Sequence, residues 1–134
     1  MNISSFDDLL SAARQQSLPQ RLLFVFTSAQ LPEVSTPEQR RRFAAGGGGE
    51  LAPVMCVDKT PDELTSFAAL VEESRALGPA WAIVFVAALG GQGARAPTSQ
   101  DAEAPLQRMV DAIKAGTHHS FIPFDRDGRT VRFE

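Results

Sequence analysis

Short apolar runs recur along this chain between longer segments of mixed polarity. Residues 21–26, 51–57 and 81–88 are almost continuously apolar, which is typical of strands covered on both faces of a sheet. Residues 121–124 and 130–133 flank the sequence DRDGR, in which Asp-Gly favours a tight hairpin turn. The pattern therefore predicts five strands, the last two of which form a C-terminal β-hairpin.

The segments between these runs carry helix signals. Ser5 is placed to cap a first helix, whose apolar positions have the helical spacing i, i+3, i+4, i+7: Phe6, Leu9, Leu10 and Ala13. The sequences TPEQ at residues 36–39 and TPDE at residues 60–63 both have the form of a capping box with proline at the first helical position. The first of them is expected to open a short, mostly polar helix through residues 40–43. The second is expected to open a helix that ends at the Gly-Pro pair, residues 78–79.

A last amphipathic segment is expected to begin near residue 104 or 105 and to end at Gly116. Each connection among the first three strands is long enough to hold a helix, which favours parallel crossovers over hairpins. The sequence thus predicts a single α/β domain over residues 1–134. We expect a sandwich with a mixed, mainly parallel sheet of about five strands and the C-terminal β-hairpin. Its predicted core contains Leu23, Val25, Phe67, Val84, Phe85, Val110 and Ile113.

The amino-acid composition argues against several classes of partner and favours one cellular compartment. The net charge of −3 provides no electrostatic footprint for nucleic acid or for an anionic membrane surface. The single cysteine excludes an intramolecular disulfide and any zinc site built on two or more thiolates. Acidic residues near the amino terminus, and apolar runs far shorter than about 18 residues, indicate neither a signal peptide nor a membrane span. We expect a cytoplasmic protein that binds neither nucleic acid nor a membrane.

The sequence GQGARA at residues 91–96 satisfies the minimal dinucleotide-binding pattern G-x-G-x-x-G/A and follows a predicted strand. Pro97 and a polar stretch separate this motif from the last predicted helix, whereas a true site needs the helix amides close to the pyrophosphate. A surface loop is therefore the favoured interpretation, and no cofactor is assigned. The candidate cofactor-binding residues are Gly91, Gly93, Arg95 and, at the end of the following strand, Asp125.

A second candidate, for a ligand site or a reactive site, lies at the end of the second predicted strand and comprises Cys56, Asp58, Lys59 and Thr60. A helix amino terminus and Lys59 would lower the pKa of the Cys56 thiol, while Asp58 would oppose that effect. A lone cysteine in an apolar strand is also typical of a small core residue. His118 and His119 point to opposite faces if they lie in a strand. We assign no catalytic residue and no metal ligand.

Residues 53–64 (PVMCVDKTPDEL) and 122–125 (IPFD) resemble a group of short, uncharacterised bacterial proteins that often carry the name ribonucleotide reductase subunit alpha. The resemblance covers nearly the whole chain. The reductase large subunit is a much longer barrel enzyme with several essential cysteines, so no catalytic residue carries over. The order of strand, Pro-Val and acidic helix start is also similar to the N-terminal domain of enhanced-serine-sensitivity proteins. Both resemblances imply a small α/β domain without an assigned reaction.

These observations favour a non-catalytic binding or protein-interaction domain, because no nucleophile, base and orienting group can be assembled from the sequence. The alternative is a small-molecule or nucleotide binder. Its site would be formed by residues 27–31, 58–60 and 90–95, since loops at the carboxyl ends of parallel strands meet at one edge of a sheet. A homodimer or a protein partner is expected at the sheet edge formed by residues 130–133, for which a solvated edge is the alternative.

Overall fold

The computed structural model describes residues 5–16, 19–30, 36–38, 41, 50–64, 66–78, 80–91, 95–117 and 120–131. Its elements are α1 (Phe6–Arg14), β1 (Gln20–Gln30), β2 (Glu50–Lys59), a 3₁₀ turn (Pro61–Glu63), α2 (Phe67–Leu77), β3 (Ile83–Gly90), α3 (Ser99–Lys114) and β4 (Ile122–Phe124). Residues 37, 38 and 41 are also helical, and the remainder of the helix predicted there lies outside the described residues. No helix in the described ranges has the length and apolarity needed to cross a bilayer.

Within the described residues the sheet has four strands in the order β2-β1-β3-β4, and every neighbouring pair is antiparallel. The expectation of a mainly parallel sheet of about five strands is therefore wrong. A continuous apolar run indicates that both faces of a strand are covered, but it does not indicate the direction of the neighbouring strands. The long connections return the chain antiparallel, and helices still cover both faces.

The C-terminal hairpin is present only in part among the described residues. The amide of Asp125 donates to the carbonyl of Arg129, and Gly128 adopts a positive φ of 80°, as a tight turn requires. Beyond the turn, Thr130 forms an isolated bridge with Phe124, and residues 132–134 lie outside the described residues. The fifth predicted strand is thus represented by this one bridge.

Successive side chains of β1 point to opposite faces of the sheet, so the core has two layers. Leu22, Phe24 and Phe26 face a layer that also receives apolar side chains from α1 and α2. Leu23 and Val25 face the opposite layer, which is completed by side chains of α3. Burial on both faces explains why the strand is continuously apolar from residue 22 to residue 26. Of the predicted core, only Val110 is partly rather than fully buried.

Local capping signals determine where the helices begin. The Ser5 hydroxyl accepts from the Asp8 amide and the Asp8 carboxylate accepts from the Ser5 amide, which confirms the predicted start of α1. The same arrangement joins Thr98 and Asp101, so α3 begins several residues before the predicted start at 104–105 and contains Pro105 in its interior. The predicted start is wrong because the capping box of Thr98 and Asp101 forms the first turn before the apolar stripe of the helix begins.

The predicted helix after residue 60 is divided in two. Glu63 accepts from the amide and the hydroxyl of Thr60, but this cap closes only the 3₁₀ turn. Leu64 then adopts an extended backbone conformation, and a second cap, Ser66, opens α2. The helix ends at Gly78 as predicted. The break brings Leu64 into the core beside α1.

Candidate functional site

The carboxyl ends of β2 and β3 lie at the same end of the sheet, which we call the Gly90 end. Both strands run antiparallel to β1, which lies between them, so Lys59 pairs with Leu22 and Gly90 pairs with Gln20. Of the three loops expected to meet, those at residues 58–60 and 90–95 therefore start from one end of the sheet. The loop after β1 starts from the opposite end, because β1 runs the other way.

A cluster of three polar side chains connects β1, β2 and the start of α3 at the Gly90 end. Arg21 Nε donates to Asp58 Oδ2 over 2.6 Å, and Arg21 Nη2 donates to Ser99 Oγ over 2.6 Å. Ser99 Oγ in turn donates to Asp58 Oδ2 over 2.7 Å, and Arg21 Nη1 donates to the carbonyl of Pro97. The three side chains bond to one another, so the cluster positions the amino terminus of α3 against the sheet.

The cluster keeps Asp58 ionised. Burial raises the pKa of the Asp58 carboxyl, but the hydrogen bonds from Ser99 and Arg21, together with the charge of Arg21, outweigh burial and hold that pKa below its ordinary value. A carboxylate in this state is a poor general base, because its affinity for protons is low at neutral pH. The arrangement supports a structural role for Asp58.

The neighbouring candidates Lys59 and Thr60 are also engaged with other groups. Lys59 Nζ lies 2.8 Å from a carboxylate oxygen of Glu73, which ties β2 to α2. The Thr60 amide and hydroxyl both donate to Glu63, and these hydrogen bonds lower the pKa of the Glu63 carboxyl. Each of these side chains thus stabilises the turn that follows β2.

Cys56 lies in the middle of β2 opposite Val25 and is exposed. Partial burial of the sulfur raises the pKa of its thiol above the ordinary value. The lowering expected from Lys59 does not dominate, and Lys59, which pairs with Leu22, lies on the opposite face of the sheet from Cys56, which pairs with Val25. The thiol is consequently less ionised at neutral pH than an ordinary cysteine.

The glycine-rich segment after β3 borders a small cavity of about 250 Å³. Its lining residues are Leu89, Gly90, Gly91, Arg95, Ala96, Pro97 and Asp101. Gly91 donates its amide to the carbonyl of Pro19, and a Cβ atom at this position would overlap the carbonyl oxygen of Arg95. Close backbone packing therefore explains the glycine at position 91. Gly93 lies outside the described residues.

Asp125 is placed at the other end of the sheet. Its neighbour Phe124 pairs with Val84, six positions before Gly90 along β3, a separation of roughly 20 Å at about 3.3 Å per residue. Asp125 Oδ1 accepts from the amides of Asp127 and Arg129, so the carboxylate organises the hairpin turn. The structure does not bring Asp125 together with Gly91 and Arg95, as a dinucleotide site would need.

Sequence reasoning missed Arg21 and Ser99, the two residues that complete the cluster around Asp58. Two local signals mark these residues in the sequence: a lone arginine at the start of an apolar strand, and the capping box Thr98–Asp101. Their meeting depends on strand order, which no local pattern contains. His118 and His119 lie outside the described residues. Among the residues that the structure does describe, no three histidine, cysteine or acidic side chains are grouped as metal ligands.

Comparison with protein-family models, with curated proteins and with solved structures finds no match to this chain.

Proposed function

We propose that this protein is a non-catalytic binding domain, and that the outer edge of β2 pairs with β2 of a second copy. The observation that carries the proposal is the length of this terminal strand. β2 has ten residues, about twice the usual length of five or six, and within the described residues it pairs on one side only, with β1. An edge of this length presents backbone amides and carbonyls that are matched to another strand.

The side chains along β2 support docking at this edge. Leu51, Val54, Met55 and Val57 all remain partly exposed, although they also pack against the core, and Cys56 is exposed. The sheet therefore ends in a strand whose middle is apolar. Pairing with another strand would remove part of this apolar surface from water.

The register of β2 is compatible with antiparallel self-pairing. Val54 is the extra residue where the register shifts, so the ten residues of β2 pair at nine positions of β1. A two-fold axis through this bulge would place the backbone of Glu50 opposite that of Lys59, and Pro53 opposite Cys56. Each backbone contact would then occur twice, once on each side of the axis. Pro53 offers no amide, so the pairing would depend on the residues on either side of it.

The proposed dimer interface lies at the outer edge of β2 and not at residues 130–133, where the sequence predicts it. On that side of the sheet, β4 has only three residues, and Thr130 already forms a bridge with it. A short edge is one of the ways in which proteins avoid unwanted strand pairing. The proposal also includes the cytoplasmic location, which the single cysteine favours.

Sedimentation at micromolar concentration tests the dimer directly. We expect a mass of about twice 14.4 kDa for the wild-type chain. Cys56→Lys should produce a monomer, because two lysines would face each other near the axis. Ala88→Lys is the matched control and should remain a dimer, since Ala88 is an exposed strand residue on β3, which β1 separates from β2. A wild-type monomer, or a dimeric Cys56→Lys variant, would contradict the proposal.

The single cysteine provides a second measurement. In the proposed pairing the two Cys56 residues lie on the same face of the joined sheet, two ladder positions apart, with their Cα atoms roughly 8 Å apart. A short bifunctional maleimide should therefore link two wild-type chains at a yield that does not change on dilution within the dimeric range. A yield that falls in proportion to concentration would indicate random collisions and would count against this register.

The cavity at the Gly90 end favours a second candidate function, a small-molecule binder. Its volume of about 250 Å³ lies below the usual range of about 300–1,000 Å³, so it suits a ligand smaller than a nucleotide. A ligand at about 100 times its dissociation constant should add about 2.7 kcal/mol to the free energy of unfolding. A metabolite screen by thermal shift, repeated with Arg95→Ala, tests this candidate. A shift that the variant retains would place the ligand elsewhere.

A further inference from the structure

A stacked pair, Trp81 and Arg126, lies at the end of the sheet opposite the Gly90 end. The Arg126 guanidinium carbon is 4.8 Å from the centroid of the Trp81 ring, and Arg126 Nη1 donates to the Trp81 carbonyl over 3.0 Å. The indole is only 4% exposed, and its Nε1 donates to Ser74 Oγ over 2.8 Å. Phe26 packs against the ring nearly edge-on, with 5.0 Å between the ring centroids. The arginine is thus held on a rigid aromatic platform.

A cavity of about 310 Å³ adjoins this pair. Its lining residues are Ser74, Arg75, Gly78, Ala80, Trp81 and Arg126, so the described part of the lining contains two arginines and no acidic residue. Ser74 Oγ already accepts from Trp81 and donates to the carbonyl of Val71 over 2.6 Å. Arg75 and Arg126 are therefore the charged residues in the described lining of this cavity.

The ion pair that Arg75 makes is weak enough to be exchanged. Arg75 Nη1 lies 3.2 Å from Glu72 Oε1, and the two side chains are 65% and 72% exposed. Pairs of this kind on a helix surface contribute only about 0.3–0.5 kcal/mol. An anion in the cavity could therefore take the place of Glu72 at little cost.

We propose that this cavity binds a small oxyanion, a carboxylate or a phosphate, through Arg126 and Arg75. Stacking occupies the face of the Arg126 guanidinium and leaves its in-plane N–H groups as the donors, and this planar fork matches two oxygens of either anion. Because the platform already fixes the side chain, less conformational entropy is lost on binding than for a mobile arginine. Asp125 and Asp127, which flank Arg126 in the turn, are not among the residues that line the cavity.

Trp81 is the only tryptophan in the chain, so its fluorescence reports on this site alone. We expect a saturable change in emission when inorganic phosphate or acetate is added to the wild-type protein, beyond that produced by sodium chloride at equal ionic strength. The anion that saturates at the lower concentration identifies the class, tetrahedral phosphate or planar carboxylate. A change that does not saturate, or one that chloride reproduces, would overturn the proposal.

Variants test whether the anion binds in this cavity, and they distinguish binding from direct effects of a substitution on Trp81 fluorescence. Arg75→Gln should weaken binding by about tenfold or more, as expected for the loss of a charge-assisted hydrogen bond. Arg126→Gln should abolish binding, and Arg129→Gln, an exposed arginine in the same turn, should leave it unchanged. Because Arg126→Gln also alters the surroundings of Trp81, calorimetric titration with the same anion provides the second measurement. Heat of binding retained by Arg126→Gln, or lost by Arg129→Gln, would refute the assignment.

Discussion

Arg21 Nε and Asp58 Oδ2 lie 2.6 Å apart and join the first strand to the edge strand where α3 begins. The two side chains are 12% and 20% exposed, so the pair is largely shielded from water and from salt. Ser99 bonds to both partners and adds the amino terminus of α3 to the same cluster. Three segments that are distant in sequence are thereby connected through one carboxylate.

Replacement of this carboxylate should destabilise the fold in a pH-dependent way. We expect Asp58→Asn to lower the free energy of unfolding at pH 7 by about 1.5–3 kcal/mol, the range for hydrogen bonds to a charged group. The folded-state pKa of Asp58 lies below its ordinary value of 3.8, so its contribution is fully present above that value. The contribution is lost as the pH falls through the folded-state pKa. Urea unfolding from pH 7 to pH 2 measures the difference between the two proteins.

Asp62→Asn is the control for this series, because Asp62 is an exposed aspartate in the turn that follows β2. Its effect at pH 7 should stay within about 0.5 kcal/mol. If the difference between wild type and Asp58→Asn persisted unchanged at the acidic end, the carboxylate would not be the source of the stability.

Gly128 should be intolerant of a side chain. Its φ is +80°, and a Cβ atom there would lie 3.0 Å from the ring of Phe67. Gly116 has a similar φ of +77° but has open space around its Cα, so it serves as the matched control. We expect Gly116→Ala to cost about 1–2 kcal/mol from backbone strain alone and Gly128→Ala to cost more. Equal losses in thermal unfolding would mean that the Phe67 contact relaxes freely.

Phe85 should be one of the most sensitive core positions. It is fully buried in β3, between Val25 and Pro123 on the neighbouring strands. Phe85→Ala should lower the free energy of unfolding by about 3–5 kcal/mol, because the cavity it leaves cannot collapse completely between two packed strands. Leu77→Ala, at a position 59% exposed, should change it by about 0.5 kcal/mol or less. Chemical denaturation of both variants measures the contrast.

The Cys56 thiol should react slowly in the folded protein. Burial raises its pKa above the ordinary value of 9.0, and the thiolate is the reactive form. We therefore expect a thiol reagent to label the native protein more slowly at pH 8 than the same protein unfolded in urea. The native rate should still rise by about tenfold per pH unit at that pH. A native rate above the unfolded rate would show that the site activates the thiol.

Features of the fold that depend on residues close together in the chain could be predicted. The Ser5 cap and the four buried apolar positions of α1 lie within nine residues, and their spacing alone describes one helix face. Proline at position 53 is typical of an edge strand or an irregular strand start, and β2 is both the terminal strand of the described sheet and the site of the register shift. Burial of Phe85 and Val84 likewise follows from an apolar run, whichever way the neighbours run.

Strand direction and the candidate site were decided by tertiary packing. An apolar strand is stabilised equally well by burial beside parallel or antiparallel neighbours, so its pattern is the same in both. Because β1 proved antiparallel to β2 and β3, Asp58 and Gly91 share one end of the sheet while Asp125 lies at the other. The ion pair of Arg21 with Asp58 spans 37 positions in sequence. Local spacing determines the helix and strand faces of this protein, and the order in which those faces pack determines which charged groups meet.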